Sequence, residues 1–170
     1  SPNPHLFPIV SLALLTGMRF GEIVGLKWED VDRQHRTITL EKTKNGERRI
    51  LPLTEAVEKL LANWRKTDIA SGLIFKPTSP TNRSGLVDIR NAFVKALQRA
   101  KIPNFRFHDL RHAAASFLAM SGATQGELMA ILGHKTPTMT RRYAHYSQKH
   151  IANVMERTQA NLLGGVNESK

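Results

Sequence analysis

Tyr143 directly follows two arginines in the sequence. A phenol has an ordinary pKa of about 10, so it becomes a nucleophile only beside a proton acceptor and positive charge. Upstream, His108, Arg111 and His112 have i, i+3 and i+4 spacing, which places them on one face of a helix. Imidazoles transfer protons near neutral pH, and guanidinium groups bind phosphate oxygens. Together these residue types predict phosphoryl transfer to the tyrosine.

Other charged residues lie far apart in the sequence, at positions that such a site would use. Arg19 lies just beyond a predicted helix end, and Glu22 follows three residues later. Lys44 occupies the tip of a predicted hairpin, although Lys42 is close enough to take the same place. A repressor does not need these groups near a tyrosine, whereas a phosphoryl-transfer site does. The alternative for each of them is a solvated surface residue.

A β-hairpin is the clearest local prediction. Residues 37–41 and 49–53 alternate between apolar and polar types, and they flank Asn45-Gly46, a strong signal for a tight turn. This hairpin positions Lys44 at its tip.

Helical apolar patterns cover most of the remaining sequence. The first pattern, over residues 4–15, stops before Gly17. We also predict a short strand at residues 73–75 and an amphipathic tail at residues 151–163. The further predicted helices span residues 20–26, a segment after Thr54, and residues 87–99, 108–120, 124–131 and 138–145. The fold class is therefore α+β, a mostly α-helical single domain with a small antiparallel β-sheet.

The net charge favours a polyanionic partner. Lys and Arg number 25 against 14 Asp and Glu, which gives a formal charge of +11. Neutralising phosphates releases condensed counterions, so this excess suits nucleic acid; the alternative is a merely soluble cationic surface. The absence of cysteine excludes disulfides, thiolate catalysis and zinc-finger chemistry. No apolar run has the length of a membrane helix, so we expect a soluble protein.

A metal site must be considered because His108 and His112 have the i, i+4 spacing that zinc ligands use. The segment reads HDLRH rather than H-E-x-x-H, and it carries Arg111 on the same face. A dication beside a guanidinium is electrostatically unfavourable. We therefore predict no metal and no cofactor.

The last third of the chain also has the pattern of a helix-turn-helix. A short apolar helix, a turn at Gly133 and a basic second helix follow one another. On this alternative, Arg141, Arg142 and Tyr143 contact DNA and nothing is catalysed.

Five segments together resemble a known family. TGMRFGEI, TKNGERRILPL, HDLRHAAAS, LGH and RRYAHYS occur in the order and approximate spacing of the catalytic domain of a tyrosine recombinase, in the phage-integrase family. The resemblance runs from about residue 7 to residue 147. It implies the tyrosine recombinase catalytic-domain fold and an enzyme that breaks and rejoins DNA through a 3′-phosphotyrosine link, without metal or nucleotide. A type IB topoisomerase, which shares this catalytic core, is the alternative within the same chemistry.

The resemblance implies a role for each residue that matches a motif. Tyr143 matches the nucleophile, with Tyr146 as its rival, because Tyr143 follows the two arginines of the last motif. Arg19 and Arg111 match the two arginines that hold the non-bridging oxygens of the phosphate. Guanidinium groups suit this task because they bind two oxygens at once and stay charged.

The proton-transfer groups follow from the same resemblance. Lys44 matches the hairpin lysine that protonates the departing 5′-oxygen, and His108 matches the histidine that takes the tyrosine proton. His134, after Leu-Gly, donates to the phosphate. Glu22 and His112 match supporting positions; the alternatives are a helix-surface carboxylate for Glu22 and a buried, hydrogen-bonded histidine for His112.

The resemblance also implies an assembly. Residues 1–170 would form the catalytic domain, and the N-terminal helical core-binding domain of the family is absent from this chain. The expected partner is double-stranded DNA, on which a homotetramer forms during synapsis, with a monomer when free and no membrane. The expected location is the bacterial cytoplasm. Residues 151–163 would pack on their own domain or dock on a neighbouring protomer.

Overall fold

The computed structural model describes residues 3–41, 48–64, 71–77, 85–134, 136–141 and 155. These residues form a mostly helical fold with a small antiparallel sheet, which confirms the predicted α+β class. The chain divides into two compact units, Ser1–Ala114 and Ala115–Lys170, which we describe separately.

The elements follow one another in a simple order, with a short 3₁₀ turn at Trp28–Asp30. Their bounds are α1 (Leu6–Thr16), α2 (Phe20–Val24), β1 (Val31–Asp32), β2 (Thr37–Leu40), β3 (Arg49–Pro52), α3 (Glu55–Trp64), α4 (Arg90–Arg99), α5 (Phe107–Met120), α6 (Gln125–Leu132) and α7 (Thr138–Arg141).

Helix α1 ends at the predicted stop. Gly17 has a left-handed φ of 64°, and its N–H donates to the carbonyl of Ala13 over 3.0 Å. Glycine adopts this conformation without the strain that a Cβ brings, which is why it terminates the helix. Ile9 and Leu12 are fully buried on the inner face. The apolar pattern and its stop are thus both confirmed.

The sheet has the order β1-β2-β3, with antiparallel neighbours. Strands β2 and β3 form the predicted hairpin, in a register that pairs Thr37 with Pro52 and Leu40 with Arg49. The tip, residues 42–47, lies outside the described residues. Strand β1 was not predicted, because two residues are too few to show an alternating pattern.

The strand predicted at residues 73–75 is wrong, because the segment makes an isolated bridge from Leu73 to Lys27. Gly72, with a φ of 83°, turns the chain there, and the N–H of Ile74 donates to the carbonyl of Leu26 over 2.9 Å. The segment thus pairs with the start of the 3₁₀ turn instead of extending the hairpin sheet. Phe75, which follows, is fully buried.

Helix α4 begins at Arg90, three residues later than predicted. The carboxylate of Asp88 accepts the backbone N–H of Arg90 over 2.9 Å, and this contact holds the chain in a turn before the helix. Val87 and Ile89 are buried in that turn, so their apolar character reflects packing rather than helix.

In the second unit, α6 packs on the end of α5. A buried cluster joins Ala115 and Ala119 of α5 to Leu128 and Leu132 of α6. Thr124 caps α6, because its hydroxyl accepts the N–H of Glu127 at 3.2 Å and its own N–H donates to the Glu127 carboxylate at 2.6 Å.

Helix α7 is described only to Arg141. Residues 142–145 of the predicted last helix lie outside the described residues, as does the predicted tail at residues 151–163 apart from Met155. Among the helices that the structure describes, none has the length and apolarity needed to cross a membrane.

Candidate active site

The turn between α1 and α2 presents Arg19. The Thr16 hydroxyl donates to the carbonyl of Leu12 at 2.5 Å and accepts the N–H of Met18 at 3.2 Å. Met18 is fully buried, and Arg19 is the extended N-cap residue of α2. The backbone of Arg19 is therefore held on both sides, by a packed side chain before it and a helix after it.

Glu22 lies between two arginines. Its Oε1 accepts Nη1 of Arg19 at 2.8 Å, and its Oε2 accepts both the backbone N–H of Arg19 at 2.8 Å and Nη2 of Arg49 at 2.7 Å. The Glu22 side chain is only 5% exposed. The alternative of a helix-surface carboxylate is therefore wrong, because Glu22 is buried as the shared partner of two guanidinium groups.

Arg111 reaches the same turn from α5. The residue is buried, and its Nη1 donates to the carbonyl of Gly17 over 2.6 Å. A charged donor at this distance makes a strong hydrogen bond. Because Gly17 is two residues before Arg19, the structure brings the two predicted arginines to one turn.

Three phenylalanines align the helix that carries His108 with this turn. Phe20 and Phe107 meet edge to face with ring centroids 5.0 Å apart, and Phe93 of α4 packs on Phe107 at 5.4 Å. Phe20 directly follows Arg19, and Phe107 directly precedes His108. The sequence interpretation missed these rings, although their position beside motif residues was a usable signal. Their packing fixes the start of α2 against the start of α5.

His108 is exposed and lies in a positive environment. Its ring meets that of His112 at right angles, with centroids 4.9 Å apart. The pKa of His108 is lowered from its ordinary value, first by partial desolvation, then by the positive charges of His112 and Arg111, with Asp109 opposing. A lowered pKa leaves the imidazole neutral at pH 7. The group is thus able to accept a proton.

His134 belongs to the second unit. It follows Gly133, the left-handed C-cap of α6, and its backbone N–H donates to the carbonyl of Met129 over 3.1 Å. Its side chain is half-buried. The helix end thus fixes the backbone of His134.

Lys44 and Tyr143, together with their rivals Lys42 and Tyr146, lie outside the described residues. For Lys44, the structure describes the two strands that flank the tip.

The described groups suit an anion. Arg19 and Arg111 bring two guanidinium groups to one turn, and the pKa of His108 is lowered in part by Arg111 and Arg19. Guanidinium groups in such an arrangement bind a phosphodiester through charge-assisted hydrogen bonds. No cluster of three or more His, Asp or Glu suited to a metal occurs in the part of the chain that the structure describes.

Comparison with known proteins agrees with this geometry. Residues 5–150 match the phage integrase family. The shufflon-specific DNA recombinase of Escherichia coli is 38% identical over 144 residues, which are 84% of this chain and 35% of that protein. The integrase of Salmonella phage P22 is 31% identical over 153 residues, 84% of this chain and 40% of that protein. The chain therefore spans less than half the length of both relatives.

Among solved structures, the catalytic domain of bacteriophage HP1 integrase superposes with a TM-score of 0.70 and 32% identity. The match covers 92% of this chain and 83% of that domain. It confirms the predicted catalytic-domain fold. Since the family match extends over most of the 170 residues, the chain belongs to the phage integrase family.

Proposed function

We propose that this chain is the catalytic domain of a site-specific DNA recombinase, an integrase that cleaves and rejoins DNA strands through a 3′-phosphotyrosine intermediate. The observation that carries the proposal is that Arg111 reaches the turn that holds Arg19, near enough to His108 that both arginines lower its pKa. Two guanidinium groups can stabilise the charge that develops when a phosphodiester is attacked in line, and a neutral imidazole can accept the proton of the nucleophile. Family membership supports the same chemistry.

In this mechanism, the Tyr143 oxygen attacks the scissile phosphorus while its proton passes to His108. Arg19 and Arg111 hold the non-bridging oxygens as negative charge grows, and His134 donates to the same phosphate. The P–O5′ bond breaks, and the departing oxygen takes a proton from Lys44. Rejoining is the reverse reaction with a different 5′-hydroxyl. One ester replaces another of similar energy, so no nucleotide is consumed.

Double-stranded DNA is the proposed partner. The formal charge of +11 supports this choice, as does the name of the E. coli shufflon-specific DNA recombinase. We place the protein in the bacterial cytoplasm on the nucleoid, monomeric when free and tetrameric on DNA during synapsis. Residues 151–163 would dock on a neighbouring protomer in that tetramer.

Complete recombination is proposed to need an N-terminal core-binding domain that clamps the other side of the duplex. On this proposal, the 170-residue chain alone binds duplex DNA weakly. If the full-length protein still forms synaptic complexes after removal of residues 152–170, the docking proposal is wrong.

A pool of nicked duplexes with randomised sequence around the nick tests the chemistry whatever the target site is. When a strand is cleaved close to a nick, the short fragment that carries the new 5′-hydroxyl diffuses away, and the strand cannot be rejoined. The covalent complex between protein and DNA therefore accumulates and remains intact on a denaturing gel. Sequencing the trapped strands identifies the preferred site. We expect the adduct to disappear with Tyr143→Phe and to persist with Tyr146→Phe, the matched control.

The other outcomes discriminate between the alternatives. A gel shift without any adduct would indicate a non-catalytic helix-turn-helix domain. Relaxation of supercoiled plasmids of unrelated sequence would indicate a type IB topoisomerase. An adduct that Tyr146→Phe removes and Tyr143→Phe leaves would show that the nucleophile is misassigned.

A further inference from the structure

Arg49 is a buried charge to which the proposed mechanism gives no task. It is the first residue of β3, and its side chain is 6% exposed. Its Nη2 pairs with Glu22, whereas Nε and Nη1 are buried and have no hydrogen-bond partner among the residues that the structure describes. Burying a guanidinium carries a large desolvation penalty. The position therefore needs an explanation other than surface charge.

The Glu22 carboxylate explains it, because two cations share this one anion. Arg19 bonds to Oε1 at 2.8 Å, and Arg49 bonds to Oε2 at 2.7 Å. With both arginines present, the three groups carry one net positive charge. Without Arg49, Glu22 and Arg19 alone would be a neutral pair, and both carboxylate oxygens would attract the Arg19 guanidinium.

We propose that Arg49 is a positioning residue that acts through Glu22 to keep the Arg19 guanidinium oriented, and net positive, toward the scissile phosphate. The inference rests on the proposed function, since Arg19 matters in this way only if the chain cleaves DNA. Arg49 occupies one carboxylate oxygen and offsets the negative charge of Glu22. It thereby limits how strongly Glu22 withdraws Arg19 from an incoming phosphate.

The location of Arg49 adds a connection to the hairpin. Arg49 pairs in register with Leu40 at the end of the described ladder, and residues 42–47, which contain Lys44, connect the two strands beyond that end. Its ion pair joins this end of the hairpin to α2, which begins after Arg19. Burial lowers the pKa of Arg49, the charge of Glu22 opposes this shift, and the charge of Arg19 adds to it. These directions are expected for two cations that share one anion.

The proposal predicts a change in rate rather than in binding. Loss of a donor that touches the phosphate typically slows a reaction about 10²–10³-fold. Arg49 acts one contact further away, so we expect Arg49→Met to slow single-turnover cleavage on the order of tenfold, while the apparent Kd for DNA stays within about threefold. Arg49→Lys keeps a positive charge beside Glu22 but lacks the planar set of guanidinium donors. This variant should therefore retain most of the wild-type cleavage rate.

The test uses the 170-residue chain at saturating concentration, with the nicked duplex that the randomised pool selects. The rate constant of adduct formation reports how well Arg19 is positioned, and the amplitude of adduct formation reports the fraction of the protein that is folded. Arg36→Met is the matched control, because Arg36 also pairs with a glutamate across elements, Glu58 at 3.1 Å, but is 54% exposed. A merely structural role of Arg49 would lower the amplitude and leave the rate constant unchanged, and that result would overturn the proposal.

A double variant tests the path through Glu22. In a Glu22→Gln background the shared anion is gone, so adding Arg49→Met should change the rate less than twofold. If the double variant is instead slowed by the product of the two single-variant effects on the rate, Arg49 acts by a route that does not pass through Glu22. Either result is read from the same single-turnover assay.

A measurement without DNA separates this inference from the proposed function. The ¹⁵N–¹H signals of the Arg19 guanidinium should shift in Arg49→Met and stay in place in Arg36→Met. Unchanged Arg19 signals in an Arg49→Met protein that still forms adducts would overturn the inference alone. The absence of adducts from the wild-type chain would overturn the proposed function, and with it any role of Arg49 in cleavage, whatever the NMR signals do.

Discussion

Replacing Gly17 by alanine tests whether the α1–α2 turn holds the site in place. Gly17 has a φ of 64° and a ψ of 15°, and its carbonyl accepts the guanidinium of Arg111 at 2.6 Å. An L-residue in this left-handed region costs about 1–2 kcal/mol per residue. For a domain of this size each kcal/mol lowers the Tm by about 2–4 °C, so Gly17→Ala should unfold about 2–8 °C below wild type.

Gly21 provides the matched control four residues later. It lies inside α2, and a Cβ built there meets nothing within 4 Å. Alanine stabilises a helix interior by about 0.5–1 kcal/mol relative to glycine, so Gly21→Ala should unfold about 1–4 °C above wild type. The same substitution is thus expected to have opposite signs at two nearby positions.

Thermal unfolding followed by circular dichroism measures both variants, and the nicked-duplex assay measures cleavage. Cleavage by Gly17→Ala should slow even where the protein remains folded, because Gly17 lies two positions before Arg19 and its carbonyl, which accepts the Arg111 guanidinium, would move. A Gly17→Ala protein with the wild-type Tm and cleavage rate would refute the argument that this turn constrains the two arginines.

Three further predictions concern the base, the aromatic packing and the charge. Because the pKa of His108 is lowered, its neutral form persists below pH 6.5. The rate of adduct formation should therefore stay constant from pH 7 to 6.5 and fall only at more acidic pH. A decrease in rate centred above pH 7 would contradict the role of His108 as the base. Phe107→Leu removes the ring contacts with Phe20 and Phe93. It should lower the free energy of unfolding, measured by urea titration, by about 0.5–1.5 kcal/mol, and it should also lower the cleavage rate. An unchanged cleavage rate would show that the rings do not align the site. Affinity for duplex DNA should fall steeply with salt in a fluorescence-anisotropy titration, and no binding at low ionic strength would remove the argument from charge.

Local patterns predicted most of the elements. The apolar repeat and Gly17 defined α1, and the alternation around Asn45-Gly46 gave the paired strands β2 and β3. The errors lie where a tertiary contact overrides the local pattern. The segment at residues 73–75 makes a single bridge because it pairs with Lys27, and Asp88 delays the start of α4.

The candidate site divides in the same way. The family resemblance selected Arg19, His108 and Arg111, because the order of its motifs along the chain is visible in the sequence. Spacing placed His108 and Arg111 on one helix face, since residues three apart are neighbours on a helix. Arg49 was missed because its partner, Glu22, is 27 residues upstream in another element. Its charge made a surface position the natural expectation.

The sequence by itself determined the family, the candidate reactive groups and most of the described helices and strands, since these depend on residue identity and on contacts within a few positions. Only the tertiary structure decided that Glu22 is buried between two guanidinium groups and that Arg111 holds the carbonyl of Gly17. It also decided that Phe20 meets Phe107. The physical reason is that burial and long-range pairing depend on how α2, β3 and α5 pack, which no local spacing encodes.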